Sequence, residues 1–149
     1  MNTKSTVALV AAAATLFACK SSHEHAHSAP PAPPANVEEQ IALGAKAFGA
    51  NCARCHGDAG QGSRKAPPLV GPNALPLSPR PDQKVRKVQF HTALDVAQFA
   101  VQNMPPDADD RAEISQTEYW AIIAFDLNAN GIKPTSIVSP ETAGSYVLH

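Results

Sequence analysis

Six consecutive residues, Cys52-Ala53-Arg54-Cys55-His56-Gly57, constrain the fold of this chain of 149 residues more than any other stretch. Two cysteines separated by two residues and followed directly by histidine form the attachment pattern for a c-type haem. Each thiol adds across one haem vinyl group to give a thioether, and the two-residue gap lets both sulfurs reach one porphyrin edge. The residue after the second cysteine then lies under the iron, where an imidazole can bind from the proximal side. Other uses of these residues compete. A redox dithiol wants a βαβ context, and none flanks the pair. A structural zinc site needs four ligands, and the only other cysteine is Cys19. Aromatic residues make up 5% of the chain, so an all-protein core would be modest. A covalent haem would add a large apolar plate to it.

The N-terminal segment has one charge, Lys4, before an apolar run from Val7 to Ala18 that is broken only by Thr15. The run is shorter than the roughly 20 residues a bilayer-spanning helix needs. A charged start and a short apolar run predict a secretory signal over residues 1–18, removed on export. Leu16-Phe17-Ala18-Cys19 resembles the bacterial lipobox. That resemblance implies lipidation of Cys19, which would become the mature N-terminus. Each buried methylene adds about 0.8 kcal/mol, so two or three acyl chains anchor stably. Export to the periplasmic side of a bacterial membrane is the expected location. Lys20 does not look like an inner-membrane retention signal, and the choice of membrane stays open.

Residues 19–36 follow as a tether. Pro30, Pro31, Pro33 and Pro34 favour an extended chain, and the composition cannot bury a core. Its sixteen residues from Lys20 to Ala35, at about 3.1 Å each, reach roughly 50 Å. His23, His25 and His27 form a His-x-His-x-His run that can bind copper, nickel or zinc. No structure in the segment fixes a coordination geometry, so a solvated spacer is the expectation. Loss of the signal removes only Lys4, leaving 11 basic against 13 acidic residues. That balance does not suggest nucleic-acid binding.

Residues 37–132 carry helical patterning. Val37, Ile41, Gly44, Ala45 and Phe48 share one face, and Asn36 can cap the start. Ser115-Gln116-Thr117-Glu118 is a capping box. The apolar stripe Tyr119, Ile122, Ile123 and Leu127 follows, with Gly131 as a C-terminal stop. Gly44 in mid-helix predicts a close crossing of the first helix over the last, at Gly44 and Phe48. The Pro67-Pro68-Leu69-Val70-Gly71 loop can offer a carbonyl to the proximal imidazole and Leu69 to the haem face. A further helix is predicted from Thr92-Ala93-Leu94-Asp95 up to Asn103-Met104-Pro105-Pro106. Pro105 pushes Met104 out of the α region. Met104 is the only methionine after Met1 and the candidate sixth ligand. His91, just before a helix, is expected at the surface, and His149 is expected to be mobile.

In order and spacing these motifs resemble the class I cytochromes c, over about residues 37–132. The resemblance implies an all-α fold of three to four helices wrapped on one covalent haem c. It implies Cys52 and Cys55 as thioethers and His56 and Met104 as axial ligands, with Pro67 and Leu69 beside the haem. Residues 133–149 match no motif and are expected as an ordered or loose surface wrap. Arg80, Lys84, Arg86 and Lys87 form a basic cluster, and Asp107, Asp109, Asp110 and Glu113 an acidic one. Both read as solvated faces or as docking surfaces, and the basic cluster alternatively as a neutraliser of haem propionates. The expected function is a membrane-tethered electron carrier with redox-protein partners and no catalytic residues. The alternatives are a haem subunit of a larger oxidoreductase or, with an open sixth position, a gas sensor or peroxidase-like protein.

Overall fold

A computed structural model describes residues 29–149. The expected signal segment, Cys19 and the histidines His23, His25 and His27 lie outside the described residues. The elements run α1 (Val37–Asn51), α2 (Ala53–His56), α3 (Ala93–Asn103), α4 (Ala108–Ala112) and α5 (Gln116–Ala129), then a 3-10 turn (Ala143–Ser145). The fold is all-α, and the strand-like pairing among the described residues is a single bridge between Thr92 and Val147. Five α-helices stand where three to four were expected, because α2 and α4 are only 4 and 5 residues long. α2 is the Cys-x-x-Cys-His turn itself. α4 starts where the Asp107 carboxylate accepts the N–H groups of Asp109 (2.9 Å) and Asp110 (3.2 Å). Part of the acidic cluster is therefore a cap and first turn, where negative charge suits a helix N-terminus.

The long helices begin as their caps dictate. The Asn36 side chain accepts from the Glu39 N–H at 2.8 Å, and Ala35 N–H donates to the Glu39 carboxylate at 2.9 Å. In the α5 capping box, Glu118 N–H donates to Ser115 Oγ (3.2 Å) while Ser115 N–H donates to Glu118 Oε2 (2.9 Å). At α3, the Asp95 carboxylate accepts from Thr92 N–H (2.8 Å) and His91 N–H (3.0 Å).

α1 crosses α5 at Gly44 and Phe48, as the sequence predicts. A Cβ at Gly44 would overlap the Ala121 carbonyl oxygen and stand 2.9 Å from Phe125 Cβ. The Phe48 and Phe125 rings pack at 5.2 Å. The buried face of α1 is rotated from the expected one. Ala45 is exposed, while Gln40 is buried beside Gly44, Ala47 and Phe48. Gln40 is buried because both ends of its amide are used: Nε2 donates to the Val138 carbonyl and Oε1 accepts the Val138 N–H, each at 2.8 Å.

That clamp makes the 133–149 segment structural. Val138 and Ala143 are fully buried in the cluster that includes Phe90, Ala93, Val96, Ile123 and Leu127. Ala93 N–H donates to the Tyr146 carbonyl, and Leu148 N–H to the His91 carbonyl. His149, expected to be mobile, places Nε2 2.8 Å from the Leu75 carbonyl oxygen.

Candidate functional site

α1 delivers Cys52 at its C-terminus, where Cys52 N–H donates to the Phe48 carbonyl at 2.8 Å. The chain turns again at once: His56 N–H donates to the Cys52 carbonyl at 2.9 Å. Positions i, i+3 and i+4 of a helical turn share one face, which sets Cys52, Cys55 and His56 side by side. Gly57 ends the turn at φ +83, and a side chain there would also run into Gln61. Cys52 and Cys55 are free, half-buried thiols.

His56 is buried, with Nδ1 2.8 Å from the Pro67 carbonyl oxygen. With Nδ1 donating, Nε2 carries the free lone pair. Burial pulls the His56 pKa down, and the Pro67 carbonyl opposes this. The net fall favours the neutral imidazole, which is the metal-binding form. The loop holding Pro67 is itself held. Leu69 and Val70 N–H groups donate to the Gly60 carbonyl at 2.8 and 2.9 Å. Asn130 donates through Nδ2 to the Leu69 carbonyl (2.8 Å) and accepts Gly71 N–H at Oδ1 (3.0 Å). Burial pushes the Cys52 thiol up to about 12, with Asp126 and Cys55 adding to the effect.

Met104 follows the last residue of α3 in extended backbone, φ −127 and ψ 133. The Tyr119 hydroxyl donates to its carbonyl at 2.6 Å. Arg111 Nη1 donates to the Pro105 carbonyl at 2.6 Å and the Pro106 carbonyl at 3.1 Å. The Met104 backbone is thereby fixed from α4 and from α5.

All six residues singled out by sequence, Cys52, Cys55, His56, Pro67, Leu69 and Met104, line one cavity of about 490 Å³. Cofactor pockets span roughly 300–1,000 Å³. Two adjacent thiols, one oriented imidazole and one thioether around a mostly apolar space suit a macrocyclic iron group. Among the described residues, no three His, Cys, Asp or Glu side chains gather as a site for a bare ion. The residues present therefore fit a c-type haem. His91 is exposed and sits 3.1 Å from Gln89 Oε1, away from the cavity lining.

Four residues gained a role that sequence reasoning missed or misassigned. Arg86 was grouped with the surface cations, but it is 3% exposed and lines the cavity. Its guanidinium stacks on Phe90 at 3.6 Å and donates to the carbonyls of Val88, Pro76 and Leu77. A cation that satisfies three loop carbonyls and covers a ring is better placed inside than in water. Arg111 and Asn130 pin the two loops beside the cavity. Asp126 is 3% exposed in the middle of α5, and burial pushes its carboxyl up to about 8. A signal for Asp126 existed: it stands three and four residues after Ile123 and Ile122, inside the apolar stripe.

The chain matches the family described as cytochrome c oxidase, cbb3-type, subunit III, over residues 39–125. Comparison with curated proteins gave no match. Among solved structures, it is similar to the crystal structure of the sulfane dehydrogenase SoxCD from Paracoccus pantotrophus. The two share 30% identity and a TM-score of 0.50, over 72% of this chain and 52% of that one. The chain thus spans about half the length of that relative.

Proposed function

The chain belongs to the cbb3-type cytochrome c oxidase subunit III family and is a c-type cytochrome, an electron-transfer haem protein; from that premise we propose a periplasmic electron carrier, tethered by lipid at Cys19, that holds one haem per chain between His56 and Met104. Cys52 and Cys55 would form the two thioethers, and Leu69, which lines the same cavity, would contribute apolar surface to the ring. Bound there, haem supplies a one-electron iron couple, whose potential a Met/His pair raises. The chain's own residues hold the ligands still. The Pro67 carbonyl fixes the His56 tautomer and raises its basicity. Tyr119 holds the Met104 carbonyl and Arg111 the Pro105 carbonyl that follows it. Keeping both ligands through a redox cycle keeps reorganisation small, which suits electron transfer and leaves no position for substrate. Exposed Arg80, Lys84 and Lys87 lie on one segment, and Asp109 and Asp110 on another, for salt-dependent docking of redox partners.

The observation that carries this reading is the shared cavity: His56, Met104 and both free thiols line it together. Carbon monoxide titration of the reduced, matured protein tests it. An unchanged haem spectrum at neutral pH is expected, because the sixth position is closed. Stoichiometric binding would overturn Met104 ligation and turn the assignment toward a gas sensor or a peroxidase-like protein.

The alternative that the comparisons favour is a haem subunit of a larger oxidoreductase. The matched family carries an oxidase subunit's description, and the similar structure is a dehydrogenase. No helix among the described residues is long and apolar enough to cross a membrane. Membrane attachment then rests on Cys19 or on a partner. Cys19→Ser separates the two: release from the membrane fraction is expected for a lipid tether, retention for a partner-held subunit.

A further inference from the structure

Tyr119, Ile122, Ile123 and Asp126 all line the cavity, at the i, i+3, i+4 and i+7 positions of α5. Three of these four suit an apolar plate; the fourth is a carboxyl. Asp126 Oδ1 is buried and has no hydrogen-bond partner. Behind it lies a void of about 10 Å³, bordered by Leu75, Ala93, Val96, Leu127 and Leu148, where Asp126 is the sole polar side chain. That volume is at the lower limit for one water, and a buried water needs two to four polar partners. A lone carboxylate so placed is poorly stabilised, and its charged form depends on whatever positive charge reaches it. The site's iron gains one positive charge on oxidation and loses it on reduction.

We propose that Asp126 is a redox-linked proton acceptor: its carboxyl takes up one proton from water when the site takes up one electron from a one-electron donor protein, and returns that proton to water on oxidation. The inference rests on the proposed single covalent haem in this cavity. Linkage makes the effect reciprocal: if oxidation favours the carboxylate, raising the pH must favour oxidation by the same factor. Burial brings the carboxyl to about 8, so the exchange falls near neutral pH.

The other groups facing Asp126 do not provide this response. From the α1–α2 junction, Cys52 and Cys55 cease to titrate as thioethers. On α5, the Tyr119 hydroxyl is committed to the Met104 carbonyl. α3 presents Val96 and Phe99 to the cavity, and its Asp95 is engaged at its own cap. The 73–90 segment brings Arg80 and Arg86, which stay charged throughout. The C-terminal segment brings Leu148, and His149 is taken up by the Leu75 carbonyl. Haem propionates compete with Asp126 as a source of redox-linked protons, and Arg54, His56 and Lys65 complete the ionisable lining of the cavity.

Potentiometric titration of the haem-loaded protein, between about pH 6 and about pH 10, tests the proposal. A tenfold change in proton concentration is expected to shift the reduction equilibrium by up to tenfold, about 59 mV per pH unit for a one-electron couple. Asp126→Asn should flatten that slope. An equal slope in Asp126→Asn assigns the proton to a group other than Asp126 and overturns the proposal. The wild-type protein offers a second readout, independent of how the variant folds. Its redox-difference infrared spectrum should gain a buried carboxylic acid C=O band on reduction, and absence of that band overturns the proposal. Purified protein without covalent haem would overturn the proposed function as well, whereas loaded protein with a pH-independent potential overturns this inference alone.

Discussion

Helix α5 meets α1 across direct backbone contact and meets the cavity across open space of about 490 Å³. On the first side, Gly44 lets the Ala121 carbonyl approach α1, and Phe48 closes against Phe125. The complement of each group is another part of the same chain. On the second side, Ile122 and Ile123 line the cavity together with Met104. One interface is finished by sequence alone; the other is finished by a covalently held plate. The two should therefore fail differently when their anchors are removed.

The largest effect is expected from removing both thiols. Cys52→Ala with Cys55→Ala should abolish covalent haem and leave the cavity face without its partner. Loss of haem staining after denaturing electrophoresis and loss of a cooperative thermal transition are expected together. A cooperative transition in this variant would break the contrast, because it would show the cavity side to be self-sufficient. Asp126 gives the next largest effect. Its folded pKa, about 8, lies above its ordinary 3.8. The native state then binds more protons than the unfolded state across that window. Stability is full below about pH 4 and is lost as pH rises toward 8. The slope is at most about 1.4 kcal/mol per pH unit. Asp126→Leu should remove the slope in denaturant unfolding of the reduced protein. An unchanged slope would place the pH dependence elsewhere.

The α1–α5 side should yield to added volume instead. Gly44→Val puts atoms where the Ala121 carbonyl oxygen stands, and overpacking of this kind costs about 3 kcal/mol. A fall in denaturation midpoint is expected, with the haem spectrum unchanged. Gln40→Ala tests the strut at the far end of α1. It leaves the Val138 N–H and carbonyl without partners, at a cost of about 2 kcal/mol. Faster proteolysis in the 133–149 segment should accompany it. If that segment stayed protected, burial of Val138 rather than the Gln40 clamp would hold it.

Much of this was legible because the signals were local. The Cys-x-x-Cys-His turn, the Ser115–Glu118 box and Met104 before two prolines each act over a few residues. The Gly44 crossing was legible from a different cue, the cost of glycine inside a helix. Long-range partners were not legible. Gln40 and Val138 are 98 positions apart, and Asn130 reaches Leu69 across 61. A polar residue reads as surface until its distant partner is known, which is why Gln40, Asn130 and Arg86 were missed or placed outside. The C-terminal segment lacked a pattern because its anchors are two buried small residues, Val138 and Ala143, and scattered hydrogen bonds to distant parts of the chain. Asp126 broke the apolar stripe openly, but a broken stripe alone does not distinguish an exposed edge from a buried carboxyl.

The smallest effect should come from the rim that joins the two sides of the cavity. Arg54, inside the attachment turn, pairs with Asp110 of α4 at 3.3 Å, with side chains 74% and 51% exposed. An exposed pair of this kind contributes at most about 1 kcal/mol. Arg54→Ala should shift the denaturation midpoint only slightly, and the shift should vanish at high salt. The loops beside the cavity have stronger ties: Asn130 holds the Pro67–Gly71 loop, and Arg111 and Tyr119 hold Met104–Pro106. A loss above about 2 kcal/mol would exceed what an exposed pair can supply. It would mean that the attachment turn depends on α4 for its position, and that the two faces of α5 are coupled through the rim rather than independent.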